Sequence, residues 1–498
     1  MFNLIVLNQK DNVAVSPMSI PANKEITSIL KSKDVIPFGH KIALSKIEKN
    51  EFVYKYGQII GVASKDISPG EHVHTHNLAF SEFEREFKIQ DNLTSKSKDL
   101  DKFFFDGFKR KNAKSGTRNY IGLLSTVNCS ATVVKKIADT INNNPELKKY
   151  ENIDGAVCLK HSSGCGMNTS GYGMTVFNQT IEGFKKHPNF SKVFVIGLGC
   201  ECAQISLYKQ EDDSVVYMNI QDEGGTKKII ENVSNQIFDM LPDLNKEHRV
   251  KIPISELTLA LQCGGSDSYS GITANPALGY ASDLLVQHGG STILAETPEI
   301  YGAEHLLIER ANNEDIVNKL QKQIEWWKHY TSINNGSLDN NPSPGNKKGG
   351  LTTILEKSLG AVAKSGTSIM EDVLSYAEPL KKKGFNYMDS PGFDPVSVTG
   401  QVASGSNVIC FTTGRGSCFG FKPAPSLKIA TNTNMFNKLE EDMDINAGSI
   451  MDGETNIKEV GEEIFNNIID TASGKLTKSE INGYGDDEFN PWVIGATM

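Results

Sequence analysis

Apolar positions at the start of the chain fall in short runs separated by turn residues. FNLIVL, NVAVS, HKIALSKI and FVYKYGQIIGVA alternate with KDN and SPGEH, which predicts a small β-rich module over residues 1–80. Between 81 and 103 that rhythm is lost. SEFEREFKIQDNLTSKSKDLD is polar and densely charged, with no sustained period, which is the composition of a linker. From 104 to 245, the strand-type runs IGLLSTVNC, GAVCLKH and KVFVIGLGC are spaced by helix-compatible segments such as ATVVKKIADTINN. Alternation of this kind predicts a parallel α/β sheet. A third region, 250–498, repeats it through LTLALQC, STILAET, NVICFTT and LKIATN, and a Rossmann-like parallel sheet is expected there. The expected fold class is therefore α/β with a small N-terminal all-β domain. Inside the third region, Ser332–Gly350 is rich in Asn, Pro and Gly and is expected to be a structured functional loop.

Composition narrows the setting. A chain of 498 residues exceeds one core and implies two to four domains. Hydrophobic residues at 38% and charged residues at 22% are those of a soluble globular protein. The net charge of -9 argues against nucleic acid as a partner, while leaving room for a local cationic pocket. No apolar run is long enough to span a bilayer, and the N-terminus lacks the basic and apolar regions of a signal peptide. The expected location is the cytoplasm, where the 8 cysteines stay reduced.

Reduced cysteines are core residues, metal ligands or nucleophiles. Cys129 (TVNCSAT), Cys165 (HSSGCGMN), Cys200 (GLGCE) and Cys263 (LQCGGSD) follow apolar runs or sit in glycine-rich turns. Ligand sites in open α/β sheets lie beyond the carboxyl ends of strands, where these four fall. Soft thiolates suit iron, zinc and iron–sulfur clusters, but a free cysteine is also a small buried hydrophobe. Cys158 and Cys410, inside apolar runs, are expected in the core. The loops HSSGCGMN, QCGGSDSYSG, PSPGNKKGG and TTGRGSCFG mix glycine with hydroxyl and basic residues, so backbone N–H groups can approach a carboxylate closely. Arg415 would clamp a carboxylate, Lys347 or Lys348 would add a point charge, and Ser266 and Asn346 complete the expected substrate contacts. None of these loops is a nucleotide-binding motif. His161 and Asp267 share turns with cysteines and are the preferred acid–base candidates, ahead of Glu296, Glu299, Asp389 and Asp394. Glu304 and His305 are expected at the surface. His72, His74 and His76 alternate in EHVHTHN, where they would share one face of a strand. Metal binding, a solvated strand end and an interface are all open to them, with metal binding the less favoured of these.

Taken together, these motifs resemble the altronate and galactarate dehydratase family over nearly the whole chain. DNVAV, GHKIALSKI, YGQIIG and GEHVHTHN look like that family's SAF (β-clip) domain. GTRNYIG, HSSGCG, IGLGCE, QCGGSDSYSGITANPALG, ETPEIYGAEHLL, NPSPGNKKGGLTTILEKSLG, FTTGRG and MDINAG look like its two-domain catalytic body. YGAEHLL and NPSPGNKKGG lie closer to the altronate enzymes, whereas SPGFDPVSVTGQVASGSNV departs from them. The resemblance implies a hydro-lyase that eliminates water from a sugar acid to give a 2-keto-3-deoxy acid, with altronate as the preferred substrate and galactarate as the alternative. A sugar-acid binding protein without turnover is the non-enzymatic alternative. The resemblance also implies iron, with manganese as a replacement, and a homodimer built by the second domain. Iron is then expected on Cys129, Cys165, Cys200 and Cys263, with His161 as an alternative ligand or base. A mononuclear ion and an iron–sulfur cluster are both open.

Overall fold

The computed structural model describes residues 3–83, 87–90, 102–111 and 114–495; most of the expected linker lies outside these. The N-terminal module holds two three-stranded antiparallel sheets. One joins Val13–Val15, Lys41–Ala43 and His72–Val73, the other Phe52–Lys55, Gln58–Ala63 and Leu78–Ala79. The run FVYKYGQIIGVA is split into a hairpin by Tyr56 and Gly57, at φ 62° and 71°. Two central residues with positive φ give a turn whose twist matches that of the flanking strands. FNLIVL, expected as a strand, contributes a single bridge, Ile5 to Val15. Its alternate residue Val6 is 50% exposed, so no second neighbour holds the run in a sheet.

The second region forms a four-stranded parallel sheet in the order Val215–Asn219, Phe190–Gly197, Tyr120–Ser125, Gly155–Leu159. Helices Asn128–Asn142 and Thr226–Leu244 cover one face through Val133, Val134, Ile137, Ile229 and Val233. On the other face, helix Tyr172–Lys185 packs against helix Asp394–Ala403 of the third region. The approach is close because Gly183 faces the Ala403 backbone; a Cβ there would lie 2.3 Å from the carbonyl oxygen.

The third region is built on a seven-stranded parallel sheet. Its order is Met370–Leu374, Gly384–Met388, Ser291–Leu294, Thr258–Cys263, Val408–Thr413, Ser426–Ala430, Ile445–Asn446. Thr258–Cys263 and Val408–Thr413 are buried along their whole length, which explains why both read as continuous apolar runs. Strand order reverses between them, which opens a crevice beyond their carboxyl ends.

The N-terminal module docks on this region through buried charge. Lys41 Nζ lies 2.9 Å from Glu356 Oε2, and Lys55 Nζ lies 2.9 Å from Oε1. Burial, offset by Glu356, brings Lys41 down to about 8. The two lysines hold Glu356 well below the carboxylate range against the opposing effect of burial. Tyr269 donates to the Ser16 carbonyl at 3.0 Å, and Thr353 to that of Ile60 at 2.5 Å.

Candidate active site

At the reversal point, two glycine-rich loops are clasped together. Gly414 and Arg415 donate their N–H groups to the Gly265 carbonyl at 3.1 and 2.9 Å. Asp267 lies behind them and is buried. Its carboxylate accepts from the N–H groups of Tyr269 and Ser270, the hydroxyls of Ser270 and Thr431, and the Asn432 amide. Those donors occupy the lone pairs a base would need, so Asp267 serves here as the clasp. Ser266 is buried and its carbonyl accepts from Asn346 Nδ2 at 2.8 Å. Asn346 belongs to the short helix Pro344–Lys348, which Ser343 starts through a reciprocal capping box. Lys347 is half-buried, and Arg415 is exposed at the rim of the crevice.

Beside the clasp is a cavity of about 420 Å³, lined by Cys263, Gly265, Glu299, Asn346, Lys357 and Asp394 among others. Its chemistry comes from four elements. Cys263 ends its strand. Glu296 follows strand Ser291–Leu294 and takes the left-handed conformation, φ 78°. For a residue with a Cβ this conformation costs about 1–2 kcal/mol, and such strain concentrates at functional sites. Glu299 ends the next helical turn. Lys357 and Lys364 come from helix Ile354–Val362 and the turn that continues it, seven residues apart and so on one face.

These side chains make a compact buried network. Lys364 Nζ lies 2.8 Å from Cys263 Sγ, which lies 3.9 Å from Glu299 Oε2. Lys357 Nζ and Asn341 Nδ2 donate to Glu299 Oε1 at 2.6 and 2.7 Å. Glu296 is also buried, yet neither carboxylate oxygen has a hydrogen-bond partner among the described residues. Burial, and then the charge of Glu299, push Glu296 well above the ordinary carboxylate value. Burial also acts upward on Glu299, but Lys357 and Lys364 outweigh it and hold that group down. Asp394 at the cavity edge is raised to about 6 by burial and by Glu299. Environments that separate neighbouring carboxyl groups in this way mark acid–base sites.

Cys263, Glu296 and Glu299 present one sulfur and two oxygens within 4.8 Å of one another, which makes them the only trio of possible metal ligands so close among the described residues. The unpartnered Glu296 carboxylate fits a cation, and thiolate with carboxylate suits a divalent transition metal. The other predicted thiols lie elsewhere. Cys129 is exposed in the first turn of helix Asn128–Asn142, and Cys165 and Cys200 are exposed in loops, all beyond the carboxyl ends of the smaller sheet. Those loops are laced together: Asn128 N–H donates to the Ser163 carbonyl at 2.9 Å, and Thr126 Oγ1 to Glu201 at 2.8 Å. No three of these thiols come within 4.8 Å of one another. His161 is buried in the same region. Its Nε2 lies 2.8 Å from the Ser125 carbonyl and its Nδ1 accepts from Ser163 N–H at 3.1 Å, so neither ring nitrogen is left for a metal or a proton.

Sequence reasoning singled out Glu296, Glu299 and Asp394 but placed them behind His161 and Asp267. It passed over Lys357 and Lys364. The available signal was two lysines at helical spacing in the largely apolar stretch ILEKSLGAVAKSG.

Three family models match successive parts of the chain. "Altronate/galactarate dehydratase SAF domain" covers residues 2–81, "D-galactarate dehydratase/Altronate hydrolase, second domain" 107–245, and "D-galactarate/Altronate dehydratase, C-terminal" 254–497. Altronate dehydratase of Bacillus subtilis is 34% identical over 97% of this chain and 98% of its own length. Galactarate dehydratase (L-threo-forming) of Escherichia coli is 38% identical over 95% of this chain and 93% of its own. Altronate dehydratase of Escherichia coli is 34% identical over 96% and 97%.

Proposed function

Because the chain belongs to the D-galactarate/altronate dehydratase family, we propose that it is a sugar-acid hydro-lyase that removes water from altronate. The observation that carries this to particular residues is the Cys263–Glu296–Glu299–Lys357–Lys364–Asp394 network under the cavity. Iron, or manganese in its place, held by Cys263, Glu296 and Glu299 would polarise the substrate carboxylate and stabilise the enediolate. One thiolate with two carboxylates favours a mononuclear ion over a cluster, which would need further thiolates.

The chain's own groups supply the rest. Arg415 at the rim and Lys347, with Asn346 and Ser266 behind them, orient the sugar acid. Ionised Asp394 takes the proton alpha to the carboxylate. The ammonium groups of Lys357 and Lys364 stabilise the negative charge that develops on the carboxylate oxygens. Asp394 then returns the proton to the departing hydroxyl, which leaves as water. The enol that forms becomes the 2-keto-3-deoxy acid by tautomerisation. Glu299 holds Lys357 in place. The reading extends to a cytoplasmic homodimer joined through the second region. The cytoplasmic location is supported by eight free cysteines.

Anaerobic assay with Fe2+ and semicarbazide detection of the 2-keto acid tests the function directly. Turnover is expected with altronate and should be lost in Cys263→Ser, together with the iron held by the Cys263, Glu296 and Glu299 group. Turnover of galactarate alone would favour the second substrate, to which the 38% identity with the galactarate enzyme points. Binding of both acids without keto product would overturn the enzymatic reading.

A further inference from the structure

Four histidines of the N-terminal module stand outside this chemistry. His40 follows the Gly39 turn, and His72, His74 and His76 alternate along EHVHTHN. Their rings gather closely: centroids are 5.1 Å apart for His40–His72, 4.9 Å for His40–His74, 5.4 Å for His72–His74 and 5.3 Å for His72–His76.

Hydrogen bonds fix two of the tautomers. His74 Nε2 lies 2.9 Å from the Lys347 carbonyl oxygen and His40 Nε2 lies 3.2 Å from that of Lys348. A carbonyl oxygen only accepts, so both Nε2 atoms carry the proton and both Nδ1 atoms carry a lone pair. His40 Nδ1 meets His72 Nε2 at 2.9 Å, and His74 Nδ1 lies 3.1 Å from Thr75 Oγ1. An imidazole whose far nitrogen donates to a carbonyl is oriented as metal-ligating histidines are.

We propose that His40, His72 and His74, with His76 beside them, bind one divalent transition-metal ion against the 347–348 turn of the catalytic body. Imidazole nitrogens select this class of ion over calcium or magnesium. Without the ion, the three sets of ring nitrogens do not all come within 4.8 Å of one another. Loading therefore turns His74 Nδ1 away from Thr75 and breaks the His40–His72 hydrogen bond in favour of two coordinate bonds. The Lys347 and Lys348 carbonyls belong to the short helix whose Ser343 and Asn346 line the cavity. An ion here ties the docked N-terminal module to one wall of the pocket. This site is separate from the Cys263 group, and the inference does not depend on which acid is the substrate.

The full-length protein, stripped with chelator and titrated anaerobically with Co2+, provides the test. Wild type is expected to bind one equivalent that His40→Gln/His74→Gln loses and Cys263→Ser retains, visible in the cobalt d–d bands. Unchanged stoichiometry and d–d bands in the histidine variant would overturn the proposal. X-ray absorption of Co2+-loaded Cys263→Ser protein needs no histidine variant to fold. Three or more imidazoles around cobalt support the site, and fewer overturn it. A failure of the dehydratase assay would leave both readouts intact, so the two proposals fail separately.

Discussion

Asp394, at the cavity edge, has its proton affinity raised to about 6 by burial and by Glu299. As the proposed base it works only when ionised, so kcat/KM should fall as pH drops through about 6. Asp394→Asn should lower kcat by about 100- to 10,000-fold, the usual worth of a positioned acid–base group, and should abolish that acidic limb. A pH–rate profile of both proteins checks this; an acidic limb that survives in Asp394→Asn would remove the residue from the proton transfer. The types of residue in this site were legible in the sequence, but their roles were not. His161 and Asp267 lie in the glycine-rich turns where catalytic groups belong, and nothing local separates them from Glu296. What separates them is their partners. Asp267 is filled by Thr431 and Asn432, 164 and 165 residues away, whereas Glu296 has no partner among the described residues. Such long-range saturation leaves no local mark.

Helix Asp394–Ala403 links this chemistry to the second region. Its first residue is the proposed base, and its last faces Gly183 of helix Tyr172–Lys185. A side chain at 183 has no space, since the nearest atom is a backbone oxygen that cannot swing aside. Gly183→Val should separate the helices and cost about 1–3 kcal/mol, the usual penalty for overpacking. Because the displaced helix carries Asp394, kcat should fall beyond what the lost folded fraction explains, with KM changed less. Thermal unfolding together with steady-state kinetics distinguishes this from simple destabilisation, which would leave kcat per folded molecule at its wild-type value. The alternation of apolar runs revealed both parallel sheets, because their central strands are buried on both faces. It did not reveal the hairpin at Tyr56–Gly57, where the turn interrupts no apolar run, nor the loss of FNLIVL as a strand, which depends on what lies beside it.

At the scale of the molecule, polar groups fasten one region to another, and these were the least legible features of all. Nothing in the sequence around Lys41, Lys55 and Glu356 marks them as partners, and only docking makes them mutually dependent. His187 is a second fastening. Its Nε2 lies 3.0 Å from the Ser406 carbonyl of the third region, and its Nδ1 accepts from Asn189 N–H at 3.2 Å. Burial holds it at about 4, against an ordinary value of about 6.5. Between those values the unfolded chain binds the proton that the folded chain refuses, so stability rises with pH across the window and is lost as pH falls from about 6.5 towards 4. One such histidine lowers the unfolding free energy by about 2 kcal/mol between pH 7.5 and pH 5. His187→Gln removes the titrating group while keeping an amide able to donate to Ser406. Its overall stability should be lower, yet its loss between pH 7.5 and pH 5 should be smaller than that of wild type by about 2 kcal/mol. Urea unfolding at the two pH values gives both differences. An equal acid loss in the two proteins would mean that His187 takes up its proton without the second and third regions coming apart.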